Sequence, residues 1–150
     1  GFTGIKLTLV EGFNSKNTSG QKATNTALDM PDDISASSFY GNTKEVFNKK
    51  KVERSVIKLS GLNPKKKYTI SYFSSRGAKD QEKRETQFTT KGAKQVVSAV
   101  DATNNKDQLV TVKNLSPDSN GDIVVDVTAG PNNTEKNGFY YLNAMCILVK

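Results

Sequence analysis

The chain has 150 residues and a formal net charge of +7, with 35% hydrophobic and 25% charged residues. These are the proportions of a soluble globular protein, and a chain this long buries roughly 70% of its unfolded surface around one core. No run approaches the roughly 20 apolar residues of a membrane helix, and Gly1 to Val10 lacks the basic and apolar blocks of an export leader. The expectation is one domain over 1–150, without membrane insertion, from which any leader has already been removed.

Alternation of apolar and polar residues dominates, and no long stretch keeps the spacing of an amphipathic helix, so the fold class is all-β. Ile5, Leu7 and Leu9 alternate in a first strand, and the stretch from Glu11 to Lys22, rich in Gly, Asn, Ser and Thr, reads as a long loop. Ala27 to Met30 reads as a short strand or turn ended by Pro31-Asp32-Asp33. Ser37 to Val46 is ambiguous, with Phe39, Tyr40 and Phe47 close to Gly41-Asn42.

Val52, Val56, Ile57 and Leu59 lead to a reversal at Asn63-Pro64, and Tyr68 to Phe73 reads as a β-branched and aromatic strand with Tyr68, Ile70 and Tyr72 on one face. A charged loop, Ser74 to Glu85, separates it from a strand at Thr86 to Thr90. Val96-Val97, Leu109 to Val112 and Ile123 to Val127 are further strands, and Phe139 to Val149 closes the domain as one apolar strand. Short strands with turns between them imply a two-sheet antiparallel, jelly-roll-like sandwich.

The chain has no histidine, which removes the commonest metal ligand and the side chain that titrates near neutrality. There is no Gly-x-Ser-x-Gly elbow and no phosphate-cradling glycine loop. Adjacent carboxylates such as Asp32 and Asp33 point to opposite faces of an extended strand, whereas glycosidase pairs face each other across a gap. Asp118 to Asp122 lacks the further oxygen ligands of a calcium loop and reads as a hairpin turn. The expectation is a binding protein without catalytic residues, metal or cofactor. Cys146, in an apolar run, reads as an inert core thiol.

The positive charge is mostly lysine, clustered at Lys49 to Lys51 and Lys65 to Lys67, with Arg54, Arg76 and Arg84 the three arginines. Lysine clusters in turns solubilise, and the expectation is weak, salt-sensitive phosphate contact with no specific nucleic-acid partner.

Two resemblances are carried by segments of the chain. Ser60-Gly61-Leu62-Asn63-Pro64 followed by Tyr68-Thr69-Ile70 resembles the L-x-P-x-x-x-Y turn of fibronectin type III domains, whose tyrosine anchors a corner. Ser74-Ser75-Arg76, Lys83-Arg84-Glu85-Thr86, Asn104-Asn105, Ser116-Pro117-Asp118, Gly121-Asp122-Ile123 and Phe139 to Ala144 follow one another in a single order. That order resembles the malectin-like and galactose-binding-like jelly-roll modules of exported bacterial polysaccharide-degrading proteins. The resemblance implies a non-catalytic module that binds polysaccharide or another glycan, works outside the cytoplasm and sits beside a catalytic domain. The alternative is a fibronectin-like spacer or protein-interaction module with no sugar site.

The residues themselves suggest where a sugar would sit. Arg76 and Arg84 share one loop, and a planar guanidinium can grip vicinal hydroxyls or a uronate carboxylate; alternatively either one pins the loop by pairing with Asp80, Glu82 or Glu85. Tyr40 offers a ring for the apolar face of a pyranose, and Asn104 and Asn105 offer carboxamides from a third loop. Along an alternating strand Phe139 and Tyr141 face one way and Tyr140 the other, so one side is core. The expected ligand site is Arg76, Arg84, Tyr40, Asn104 and Asn105 at one end of the sandwich.

Overall fold

The computed structural model describes residues 4–149. In chain order the elements are β1 (Lys6–Glu11), β2 (Ser15–Asn17), α1 (Asp32–Ser35), β3 (Ser38–Phe47), β4 (Lys50–Val52), β5 (Ser55–Ser60) and β6 (Tyr68–Phe73). They continue with β7 (Glu85–Lys91), β8 (Gln95–Asp101), β9 (Val110–Leu115), β10 (Ile123–Ala129), β11 (Phe139–Leu142) and β12 (Ala144–Val149). One layer is a five-stranded sheet in the order β1-β5-β10-β7-β8. The other consists of β12-β6-β9 and of β11-β3-β2, with β4 paired to β3. All of these strand pairings are antiparallel. The fold is an all-β, jelly-roll-like sandwich.

The period of two explains the core. Ile57 and Leu59 of β5, Phe88 of β7, and Ile123, Val125 and Val127 of β10 face inward from the five-stranded sheet. Tyr68, Ile70 and Tyr72 of β6, Val110, Val112 and Leu115 of β9, and Tyr140 and Leu142 of β11 meet them from the second layer. Tyr72 stacks flat on Phe88 across the layers, with centroids 4.2 Å apart, and its hydroxyl shares a 2.8 Å hydrogen bond with Thr90. Burial pushes the Tyr72 phenol above its ordinary range, because a phenolate there would lose its water. Tyr68 is buried, and its hydroxyl accepts the Asn63 amide at 2.9 Å, so the expected corner tyrosine does anchor the β5–β6 turn.

Four local readings are corrected. The polar stretch after β1 holds the short strand β2, which pairs with β3. Residues 27–30 take the turn and not the strand alternative, and the unexpected element is a 4-residue helix, α1, after Pro31. The terminal apolar run is two strands, β11 and β12, in different sheets, broken at Asn143. Asn143 is held at the break by its amide, which donates to Phe73 O at 2.9 Å, and by its side chain, which accepts from Ser75 N at 2.8 Å and donates to Ser35 O at 2.8 Å. Cys146 is half-buried on β12, an edge strand, rather than sealed in the core. Asp118 does form a hairpin turn, its carboxylate accepting the amides of Asn120 and Asp122 at 2.9 Å each. Among the described residues no helix is long and apolar enough to cross a membrane.

Candidate functional site

The site is built on the outer face of β3 and β11. Register pairs Tyr141 with Tyr40 and Phe139 with Asn42, so these four side chains share a face, while Tyr140 pairs with Gly41 and points into the core. Tyr140 is fully buried, with its hydroxyl 2.9 Å from Ser55 Oγ and 3.2 Å from Val52 O. Glycine at position 41 is what lets the ring lie there: a Cβ would collide with the Tyr140 ring and hydroxyl.

Phe47 reaches the same face through a hairpin. Phe47 pairs with Lys50 across Asn48 and Lys49, which both have positive φ (52° and 64°), the handedness a two-residue hairpin loop requires. Three asparagines hold it. Asn42 Nδ2 donates to Glu45 O at 2.7 Å and Lys50 O at 2.9 Å, and its Oδ1 accepts Asn14 Nδ2 at 2.7 Å. Asn14 Nδ2 also donates to Phe47 O at 2.9 Å, and Asn48 Nδ2 donates to the Tyr40 hydroxyl at 2.9 Å.

Phe139 is positioned by the β10–β11 loop. The buried Glu135 carboxylate accepts the Phe139 amide at 3.1 Å and the Asn137 amide at 2.8 Å, and Asn133 Nδ2 donates to Phe139 O at 2.8 Å. The result is a four-ring cluster. Phe47 meets Phe139 edge-on at 5.0 Å, Phe139 meets Tyr40 edge-on at 5.5 Å, and Tyr141 lies 6.2 Å from Tyr40. Phe47 is 40% exposed, whereas Tyr40 and Tyr141 form the floor at 8% and 2%.

Arg76 completes a shallow pocket of about 90 Å³ lined by Asn17, Tyr40, Phe47, Arg76, Phe139 and Tyr141. The Arg76 backbone is clamped between the amide–carbonyl pair Arg76 N to Ala102 O and Asn104 N to Arg76 O, both 2.8 Å. Its guanidinium donates to the adjacent Gly77 carbonyl. Among the described residues most of its five N–H donors are therefore without a partner. The Tyr141 hydroxyl lies in the field of Arg76 and Arg84, but desolvation dominates and pushes its pKa up.

The five residues expected to bind ligand are distributed unequally. Arg76 and Tyr40 line this one pocket, although Tyr40 is a strand residue with a buried ring rather than a loop side chain. Arg84 is 7% exposed and makes a paired contact with Asp80, at 2.9 and 2.8 Å. That pairing holds the Asp80 carboxyl at about 2, well below its ordinary value. Asn105 is buried, its Nδ2 donating to Ser74 O and Gln108 O at 2.9 Å each. Asn104 is exposed and spans the two loops, donating to Ala78 O at 2.9 Å and accepting Ala78 N at 2.8 Å. Asn104 and Asn105 thus brace the loop that presents Arg76. Asn17, Phe47, Phe139 and Tyr141 complete the pocket, and the parity of β11 is the sequence signal that singles out the last two.

No family model and no curated protein matches the chain. Solved structures do. CpGH89CBM32-5 from Clostridium perfringens, in complex with GalNAc-β-1,3-galactose, is 14% identical over 96% of this chain and 94% of its own, with a TM-score of 0.50. TmCBM61, in complex with β-1,4-galactotriose, is 10% identical over 99% and 90%, with a TM-score of 0.46. The family 32 CBM from C. perfringens NanJ, in complex with galactose, is 12% identical over 97% and 93%, also at 0.46. The chain shares the jelly-roll fold of carbohydrate-binding modules. Among the described residues no group of three or more Asp, Glu or Cys side chains is placed to hold a metal ion.

Proposed function

We propose that this chain is a non-catalytic carbohydrate-binding module that takes one sugar ring in the Arg76 pocket. The observation that carries the reading is the pocket itself: a guanidinium with unused donors beside aromatic rings on a rigid strand pair. A pyranose has apolar C–H faces and a polar rim, so a ring such as Phe47 covers the face while Arg76 grips the rim. Both elements stand on bonded backbone, which limits the ordering cost of binding. The ordered segments from Ser74 to Ala144 support a wider setting: an accessory module of an exported bacterial polysaccharide-processing protein, working outside the cytoplasm next to a catalytic domain, with 1–150 as its single domain.

A glycan array spanning plant, host and microbial sugars tests the reading, with GalNAc-β-1,3-galactose included. Binding should be in the micromolar to millimolar range, because exposed polar contacts contribute only about 1 kcal/mol each. Arg76→Ala and Phe47→Ala should each weaken it with little change in melting temperature. Silence across the array favours a spacer or protein-interaction module instead.

A further inference from the structure

The donor and acceptor inventory of the pocket narrows its ligand. Arg54 pairs with Glu11 at 2.8 Å and Arg84 with Asp80 at 2.8 Å, whereas Arg76 is in no ion pair among the described residues. It is half-buried against four rings, and no Asp or Glu lines the pocket. The acceptors nearby are few and each has a donor already: Asn17 Oδ1 takes the Ser19 amide at 2.7 Å, the Tyr40 oxygen takes Asn48 Nδ2 at 2.9 Å, and the Tyr141 hydroxyl lies against the Arg84 guanidinium. Asn17 Nδ2 makes no hydrogen bond among the described residues, so it adds two donors.

A neutral sugar hydroxyl both donates and accepts, and sites that hold one supply an acceptor as well as a donor. This pocket offers chiefly donors and one unpaired cation. An oxyanion, which only accepts, satisfies that set, and the cation gains a partner it lacks in the free protein. Resting on the carbohydrate-binding reading, we propose that the pocket selects an acidic sugar whose carboxylate or sulfate sits on the Arg76 guanidinium while the ring lies against Phe47 and Phe139. The planar fork of the guanidinium matches a carboxylate in two parallel bonds, which favours a uronate. The chain's net charge of +7 adds attraction for a polyanionic chain at a distance.

Calorimetry tests this with three probes: an oligogalacturonate, a sulfated galacto-oligosaccharide and an uncharged galacto-oligosaccharide, each at low and high sodium chloride. The uronate should bind roughly tenfold or more tighter than the uncharged sugar, weaken as salt rises, and lose roughly ten- to a hundredfold in Arg76→Gln at unchanged melting temperature. Tightest binding of the sulfated probe, equally lost in Arg76→Gln, keeps the anion and identifies its source as sulfate. Equal or tighter binding of the uncharged sugar, or an acidic preference that survives Arg76→Gln, overturns the proposal and leaves sugar binding intact. Failure of all three probes in a protein that also binds nothing on the array overturns both.

Discussion

Gly41→Ala probes the seam between core and pocket. The added Cβ would run into the Tyr140 ring, which is fully buried and has no free direction to move. Its hydroxyl is tied to Ser55 and Val52, and Phe13 lies beside it with centroids 6.3 Å apart. Relief therefore means either displacing β3 from β11 or breaking the Tyr140 hydroxyl bonds. Overpacking costs about 1–3 kcal/mol and a lost buried hydrogen bond about 1 more, so the expected destabilisation is about 2–4 kcal/mol. For a chain of this length that lowers the melting temperature by roughly 5–15 °C, measured by calorimetry and by a shifted urea midpoint at constant slope. Because Gly41 sits between Tyr40 and Asn42, the same variant should bind sugar less well. In the double variant Gly41→Ala with Tyr140→Leu, where the ring is gone, the two costs should sum to less than their separate values. A melting temperature within about 1 °C of the parent, or strict additivity, would refute the steric argument.

The two loop arginines should differ: Arg84→Met breaks the pair with Asp80 and the contact with the Tyr141 hydroxyl and lowers the melting temperature, yet it should weaken sugar binding far less than Arg76→Ala does, since Arg84 itself does not line the pocket. Alkali should unfold the protein through its buried phenols. Burial raises the Tyr140 pKa to about 12, so the fold favours its neutral form, and stability is fully present below about pH 10 and lost as pH rises toward 12. A urea midpoint that is flat or rising between pH 10 and 12 contradicts this. At the acid end the Asp80 carboxyl, held at about 2 by Arg84, contributes stability that is present above its ordinary value of 3.8 and lost as pH falls toward 2. Asp80→Asn should flatten that limb of the midpoint curve.

What was legible in the sequence was what alternation encodes. Ile123, Val125 and Val127 announce an inward face, and the parity of Phe139, Tyr140 and Tyr141 separates the face turned to the main core from the face that carries the smaller aromatic cluster without any structure. The Leu62-x-Pro64 turn with Tyr68 is equally local, and its hydroxyl bond to Asn63 spans only five residues. Arg84 with Asp80 four residues before it offered its structural role openly. The pocket was harder because its parts depend on long-range hydrogen bonds. Asn14, Asn42 and Asn48 look like loop residues, yet they join segments up to 34 positions apart to set the hairpin that carries Phe47. That hairpin turns on Asn48-Lys49 instead of Asn-Gly, so its left-handed lysine leaves no familiar signal. The split of the last strand was hidden for a similar reason: Asn143 interrupts an otherwise apolar run, and only its bonds to Ser35 and Ser75 show why.

The central claim is that sugar binds at the Arg76 pocket on the β3–β11 face. An NMR titration of the labelled protein with oligogalacturonate and with GalNAc-β-1,3-galactose tests it directly, by the backbone and Arg76 side-chain resonances that move. Saturable shifts concentrated at Asn17, Tyr40, Phe47, Arg76, Phe139 and Tyr141 are expected, abolished in Arg76→Ala. Saturable shifts centred elsewhere, for example along β1 and β12, or no shifts with any sugar that the array shows to bind, would contradict it.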